Sequence, residues 1–327
     1  MTGGETAVAG SDARRRAEAA AAVAAFALAA AALFGGPLRH APAFPRLALL
    51  FVVLVGAYLA FSVGAVVRAL QDAVRRARWR TLAGPGVIWL GVVAYAATAR
   101  LPVAPRALAF AVYLVAPALP LLGPPTPSGR APVRELVSVA LLWLPIELRL
   151  LPSLPVVGPA GFDVARFVGL VEGLFLFLVV RALPDVGYTF LLRWRDVGVA
   201  VAAFVVYSVV ALPVGLGTDF LHWHPRLSPV GVVTRPVLVY LATGVPEEFL
   251  FRGLIQNLLA RWWGPARALA ATAVVFGLAH LPDPRYVLLA AAAGLAYGWV
   301  YERTRRITAA AVTHALVDTV WVTLLRR

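Results

Sequence analysis

Two residue types are missing from this chain of 327 residues. It contains no cysteine, and all 30 of its basic residues are arginine, so it also contains no lysine. The absence of cysteine excludes thiol proteases, disulfides, cysteine-ligated zinc sites and S-palmitoylation. The absence of lysine excludes Schiff-base lysines, Ser/Lys dyads and a Walker A phosphate site.

Charged residues are scarce as well. They make up 14% of the chain, against 61% apolar residues, and the mean hydropathy is +0.81. An ordinary soluble domain is about 25% charged and 45–50% apolar. The sequence therefore predicts an all-α fold, a polytopic transmembrane helical bundle of about eight to eleven spans. Because a bias to Ala and Arg without Lys is typical of a GC-rich bacterial genome, we expect an integral, multi-pass protein of the bacterial inner (plasma) membrane.

The net charge of +14 does not indicate nucleic-acid binding. The arginines lie beside the apolar runs, as do Arg14–Arg16 before the first run and Arg303, Arg305 and Arg306 before the last. In membrane proteins, arginine collects in loops that stay in the cytoplasm and attracts anionic lipid. We therefore expect the lipid bilayer as a partner, and no nucleic acid.

The chain divides into three regions by composition. Residues 1–16 are small, polar and basic, and we expect a disordered cytoplasmic N-terminus. Residues 17–196 are an N-terminal transmembrane region of unknown role, and residues 197–327 are a helical core with a different set of polar residues. The apolar runs of the middle region are Ala17–Phe34, Leu47–Val67, Gly86–Ala99, Ala107–Leu122, Val133–Leu151 and Val164–Val180. Those of the last region are Val197–Leu216, Gly231–Trp263 (interrupted by Gly244 and Pro246), Arg267–Leu281, Tyr286–Tyr301 and Ile307–Leu325.

Three ionisable residues lie within one apolar run of the last region, where a charged side chain costs about 2.5–3.5 kcal/mol on insertion scales. Glu248 and Arg252 are four residues apart on one helix face and can form an ion pair. Glu247 is rotated by about 100° from Glu248, so it points elsewhere and suits a general base. The alternative is that both glutamates pair with arginines and only fix the helix packing.

Two further pairs follow at helical spacing. Phe276 and His280 share one face, and so do His314 and Asp318. Taken singly, each has a structural alternative: a packing histidine, or a buried His–Asp pair. Together, Glu247, His280, His314 and Asp318 come from three separate runs. Converging polar groups without a Ser or Cys nucleophile indicate an activated water molecule.

In these three motifs the sequence resembles the CPBP family. This family, also called Abi, is the group that includes the CAAX prenyl protease Rce1. The resemblance covers about residues 230–325, so that residues 197–327 are identified as a CPBP-like catalytic core. Order, spacing and helical context all agree with the three motifs of that family. These motifs are Glu247-Glu248-x-x-x-Arg252, Phe276-x-x-x-His280 and His314-x-x-x-Asp318.

The resemblance implies a helical bundle around a polar cavity, and a role for each motif. Glu247 and His280 would activate the attacking water, and Glu248 and Arg252, with Phe276, would support the site. The implied activity is that of a glutamic-type intramembrane endopeptidase acting on a membrane-anchored protein or peptide. Protein maturation or the processing of C-terminal sorting signals is the expected setting.

The third motif departs from the family's usual pattern. His314 and its partner at position 318 would hold the oxyanion of the tetrahedral intermediate, but the family more often has Asn where this chain has Asp318. An ionised Asp cannot donate a hydrogen bond and would repel an oxyanion. Asp318 is therefore either protonated or orients His314.

Three rival interpretations stay open. Glu247, His280 and His314 could bind zinc and leave a position for water, which would make the enzyme a metalloprotease; we favour a site without metal or other cofactor. The protein could instead be a non-catalytic immunity or scaffold protein. It could also be a proton-coupled transporter, because buried Glu and His relay protons in such proteins.

Overall fold

The computed structural model describes residues 2–35, 44–154 and 164–326. These residues are almost entirely helical, with two strands of two residues each, so the predicted all-α fold is confirmed. The chain forms two compact units. The N-terminal unit consists mainly of residues up to Pro184, and the C-terminal unit mainly of Asp185–Arg327. This division falls slightly before the boundary expected at residues 196–197.

Seven α-helices lie wholly or mainly in the described residues of the N-terminal unit. Their bounds are α1 Thr2–Phe34, α2 Phe44–Ala60, α3 Gly64–Arg76, α4 Ala83–Thr98, α5 Val103–Val115, α6 Val133–Glu147 and α7 Val164–Leu174. Short 3₁₀ segments cover Arg78–Thr81 and Ala116–Leu122, and a π-helical segment, Phe175–Val180, continues α7.

Two features of this unit differ from the expectation. Helix α1 begins at Thr2, so the segment expected to be a disordered tail is helical from that residue onward. The apolar run expected as one span from Leu47 to Val67 is broken, because α2 ends at Ala60 and α3 begins after a sharp bend at Gly64.

A buried ion pair lies inside the N-terminal unit. Arg181 Nη2 is 2.9 Å from Glu135 Oε1, and both side chains are 3% exposed. Thr126 Oγ1 donates to Glu135 Oε2 over 2.8 Å, and Arg181 Nη1 donates to the carbonyl of Gly123 over 2.7 Å. Hydrogen bonds to both partners make such burial tolerable.

Six described helices are long and apolar enough to cross a membrane, or seven if the bent pair α2 and α3 is one span. The protein is thus a multi-pass integral membrane protein. This number is lower than the expected eight to eleven for two reasons. Several apolar runs form helices that are too short, such as α6 and α7. The helix Pro284–Thr304 is long enough, but the charged residues at its ends lower its mean hydropathy. Hydropathy alone does not separate a short apolar helix from a span.

The C-terminal unit contains a second set of helices. Their bounds are α8 Trp194–Gly217, α9 Pro229–Val239, α10 Val245–Glu248, α11 Asn257–Trp263, α12 Pro265–Leu278, α13 Pro284–Thr304 and α14 Ile307–Leu324. Strands β1 (His222–Trp223) and β2 (Leu325–Arg326) pair antiparallel, with His222 opposite Arg326 and Trp223 opposite Leu325. This pairing fixes the loop after α8 to the end of α14.

The stretch from Pro229 to Trp263 is helical throughout, although an interruption at Gly244 and Pro246 was expected. Two π-helical segments, Tyr240–Gly244 and Phe249–Gln256, flank α10 and absorb the irregularity. A side chain at Gly244 would place its Cβ 3.1 Å from the carbonyl oxygen of Ala311, so glycine lets α14 approach closely here. Single π-helical turns occur frequently at functional sites.

Small residues also bring α12 and α13 together. A Cβ on Gly277 would meet Ala291, one on Gly294 would meet Ala273, and one on Gly298 would meet Leu269. The residue numbers of the contacting pairs increase along α13 as they decrease along α12, so the two helices are antiparallel. Close approach of this kind through Gly and Ala is the usual basis of helix packing in a bilayer.

Candidate active site

Three of the predicted site residues meet at the imidazole of a fourth, His314. Glu247 and Glu248 come from α10, and His314 and Asp318 from α14. His314 is 3% exposed, and a carboxylate lies close to each of its ring nitrogens. Glu247 therefore lies close to one of the two predicted site histidines.

Glu248 links His314 to Arg252. Its Oε1 lies 2.8 Å from His314 Nδ1, and its Oε2 lies 3.1 Å from Arg252 Nε. The side chains of Glu248 and Arg252 are completely buried. The ion pair at spacing i, i+4 is as expected from the sequence, whereas the hydrogen bond between Glu248 and His314 was not anticipated.

Two partly exposed carboxylates face the other ring nitrogen of His314. Asp318 Oδ2 lies 3.5 Å from His314 Nε2, and Glu247 Oε2 lies 3.8 Å from the same atom. The side chains of Asp318 and Glu247 are 34% and 28% exposed, whereas the side chain of Glu248 is completely buried. A distance of 3.8 Å is too long for a direct hydrogen bond.

Arg252 is held by three further groups. Its Nη2 donates to the carbonyl of Gly294 over 2.9 Å, and its guanidinium carbon lies 4.8 Å and 5.3 Å from the ring centroids of Phe276 and Tyr297. Tyr297 in turn stacks on His314, with ring centroids 4.7 Å apart and planes tilted by 15°. The guanidinium therefore fixes both Glu248 and the aromatic ring that sets the plane of His314.

His280 lies just beyond the end of α12, on the other side of Phe276. Its Nδ1 is 2.7 Å from the carbonyl oxygen of Phe276, and a carbonyl only accepts. The neutral ring therefore carries its proton on Nδ1, and Nε2 has a lone pair that can accept a proton. The ring packs edge-on against Tyr286 with centroids 4.5 Å apart, and Phe276 contacts both His280 and His314.

The zinc alternative names Glu247, His280 and His314 as the metal donors. Across residues 2–35, 44–154 and 164–326, no group of three or more His, Asp or Glu side chains is placed to hold a metal ion. The set Glu247, His280 and His314 does not form a metal site in this geometry.

An aromatic cluster beside the site was not anticipated from the sequence. Phe220, Tyr286 and Trp321 contact one another with ring centroids 5.6 Å apart. Trp321 follows Asp318 by three residues and so lies on the same face of α14. That spacing was the one signal in the sequence that could have revealed the cluster.

The comparisons with known proteins bear on this part of the chain. Residues 229–320 match the family model described as type II CAAX prenyl endopeptidase, Rce1-like. That range includes every residue of the three motifs. This segment is therefore similar to the Rce1-like CAAX endopeptidases, and the predicted resemblance is confirmed.

A curated relative is the protein named "Putative membrane peptidase YdiL" from Bacillus subtilis (strain 168). It is 26% identical over 130 residues, which cover 38% of this chain and 53% of the relative. The chain thus spans about half the length of the curated relative that it matches. No solved structure matches the chain significantly.

Proposed function

We propose that the C-terminal unit is the catalytic core of an intramembrane endopeptidase, which hydrolyses a peptide bond in a membrane-anchored protein or peptide. The observation that carries this proposal is the convergence of the partly exposed Glu247 and Asp318 on Nε2 of His314, while buried Glu248 holds Nδ1. The match of residues 229–320 to CAAX endopeptidases supports the same reaction class.

In the proposed mechanism, Glu247 is the general base. Its carboxylate is partly exposed and lies beside an imidazole, in an otherwise apolar bundle. A water molecule bound to it loses a proton to the carboxylate as its oxygen attacks the peptide carbonyl carbon. The proton then passes to the leaving amine as the carbon–nitrogen bond breaks, which restores Glu247. The accepting Nε2 of His280 would hold the same water molecule in place.

His314 is the proposed oxyanion donor. Its Nδ1 is committed to Glu248, so only a doubly protonated ring has a second N–H, on Nε2, to offer to the oxyanion. Buried Glu248 stabilises the positive charge of such a ring, and Asp318 orients the ring. Asp318 then acts on His314 rather than on the substrate, which removes the conflict of an ionised carboxylate facing an oxyanion.

The substrate class follows from the position of the site. Because Glu247 and His314 lie in membrane-embedded helices, the scissile bond has to lie close to a segment that enters the bilayer. We propose a protein anchored by a lipid or an apolar segment, processed during maturation or removal of a C-terminal sorting signal. The bacterial inner membrane is the proposed location.

The test is cleavage in liposomes by the purified full-length protein. A panel of fluorogenic peptides with membrane anchors at one end is compared between the native chain, Glu247→Gln and Glu147→Gln. Glu147 is an exposed glutamate at the end of α6 and serves as the matched control. We expect cleavage by the native chain and by Glu147→Gln only. Equal cleavage by Glu247→Gln would contradict the proposed base, and no cleavage of any anchored peptide would favour a non-catalytic scaffold.

A further inference from the structure

A large apolar groove lies in the C-terminal unit, between α8, α12 and α13. Its volume is about 500 Å³, which is within the range of small-ligand sites. The wall on α13 runs from Leu289 to Trp299, which at 1.5 Å per residue is about 15 Å. Other lining residues are Ala202, Val206, Val210, Ala292, Leu295 and Ala296.

The three helices around the groove have a defined direction. Tyr207 of α8 donates to the carbonyl of Leu289 near the start of α13 over 3.2 Å. Asp196 in the first turn of α8 pairs with Arg306, just after α13, at 3.2 Å. Helix α8 is therefore antiparallel to α13, as is α12, and the starts of α8 and α12 lie beside the end of α13.

Arginines surround this end of the groove. Arg195, Arg267 and Arg303 come from α8, α12 and α13, and all three are exposed. None forms an ion pair with another residue that the structure describes. The guanidinium carbon of Arg303 lies 5.2 Å from the ring centroid of Trp299, which lines the groove. Trp194, 91% exposed, lies at the same end, as expected for a residue at the membrane interface.

We propose that this groove binds an anionic phospholipid, with one acyl chain along α13 and the phosphate at Arg303, Arg195 and Arg267. An apolar wall requires an apolar chain, and three cations without acidic partners require a net negative headgroup. The length of about 15 Å is half of the roughly 30 Å hydrocarbon core, which is the reach of one leaflet. The proposal does not rest on the peptidase activity.

The position of the lipid tail has a structural consequence. Tyr207 and Leu289 lie towards the end of the groove that is opposite the arginines. They also line a small space next to Val317 and Trp321 of α14. The methyl end of the acyl chain would therefore lie beside the helix that carries His314 and Asp318. A lipid bound in the groove would therefore pack against α14 and help to hold it in position.

The test is native mass spectrometry of the full-length protein in detergent. Phosphatidylglycerol and phosphatidylcholine with identical acyl chains are added at equal concentration, and the retained lipid is counted. We expect retention of phosphatidylglycerol over phosphatidylcholine. Arg303→Ala should weaken that retention about five-fold, the change that corresponds to about 1 kcal/mol per basic residue at a membrane surface. Arg226→Ala, an exposed arginine in the loop at the other end of α8, should leave it unchanged.

A second variant tests the groove itself. Ala296→Phe fills the groove without changing a charge, and should abolish retention of phosphatidylglycerol while the protein elutes as a folded species. Equal retention of the two lipids by the native chain would overturn the proposal. Unchanged retention by Ala296→Phe would also overturn it, since the arginines would then only attract lipid to the surface. Equal effects of Arg303→Ala and Arg226→Ala would overturn it as well.

Discussion

Replacing Glu248 by Gln removes the negative charge that joins Arg252 to His314. The guanidinium of Arg252 is completely buried, so the substitution leaves it without its carboxylate partner. Breaking a buried pair in this way costs about 3–5 kcal/mol. At about 2–4 °C per kcal/mol, the melting temperature should fall by roughly 6–20 °C.

The substitution should also lower the activity of the molecules that stay folded. Glu248 Oε1 is the hydrogen-bond partner of His314 Nδ1 at 2.8 Å, and a displacement of about 1 Å in a catalytic group can lower a rate about 100-fold. We expect at least that loss in the kcat of liposomal cleavage, measured below the melting temperature of the variant. Replacing both charges, with Glu248→Gln and Arg252→Met together, should restore much of the stability but not the activity.

Glu135→Gln is the matched control. It breaks a second buried ion pair, that of Glu135 with Arg181, which lies in the N-terminal unit and involves no residue of the three motifs. It should lower the melting temperature to a similar degree, while each folded molecule keeps its activity. The reasoning is refuted if Glu248→Gln melts and cleaves like the native chain, or if Glu135→Gln loses as much activity per folded molecule.

Four further outcomes are expected. His280→Ala should lose nearly all turnover because the water loses an acceptor, whereas His222→Ala, an exposed histidine of β1, should not; comparison of the two kcat values decides this. Asp318→Asn should keep cleavage within about ten-fold, because the amide oxygen can still orient His314, and a larger loss would assign a role to the negative charge. A zinc chelator such as 1,10-phenanthroline should leave the rate unchanged, and loss that is reversed by added zinc would favour the metalloprotease alternative. Proton flux into liposomes should not differ between the native chain and Glu247→Gln; flux that needs Glu247 would favour a transporter.

Contacts within one helix could be predicted from the sequence. Glu248 pairs with Arg252, and His314 lies close to Asp318, because residues four apart share a helix face whatever surrounds the helix. The hydrogen bond from His314 to Glu248 joins residues far apart in the chain. This hydrogen bond depends on how α14 and α10 are rotated about their axes. The rotation could not be predicted, because runs of Ala, Val and Leu are apolar on all sides and do not show which face points inwards.

The irregular helix could not be predicted either. Gly244 and Pro246 indicated an interruption, but the structure keeps one helical course and absorbs them in π-helical turns. Sequence patterns report the period of 3.6 residues and carry no signal for bonds from i to i+5. The described helices that are long and apolar enough to be spans are fewer than expected for a related reason, since hydropathy measures apolar character and not how much of a run becomes helix.

Arg252 limits which parts of the C-terminal unit can move. Its guanidinium touches Phe276 of α12, Gly294 and Tyr297 of α13, and, through Glu248, His314 of α14. A shift of any one of these helices would break contacts to a charge that water cannot reach. We therefore expect α12, α13 and α14 to behave as one rigid body, and an opening that admits a polypeptide to involve α8 or α9 instead.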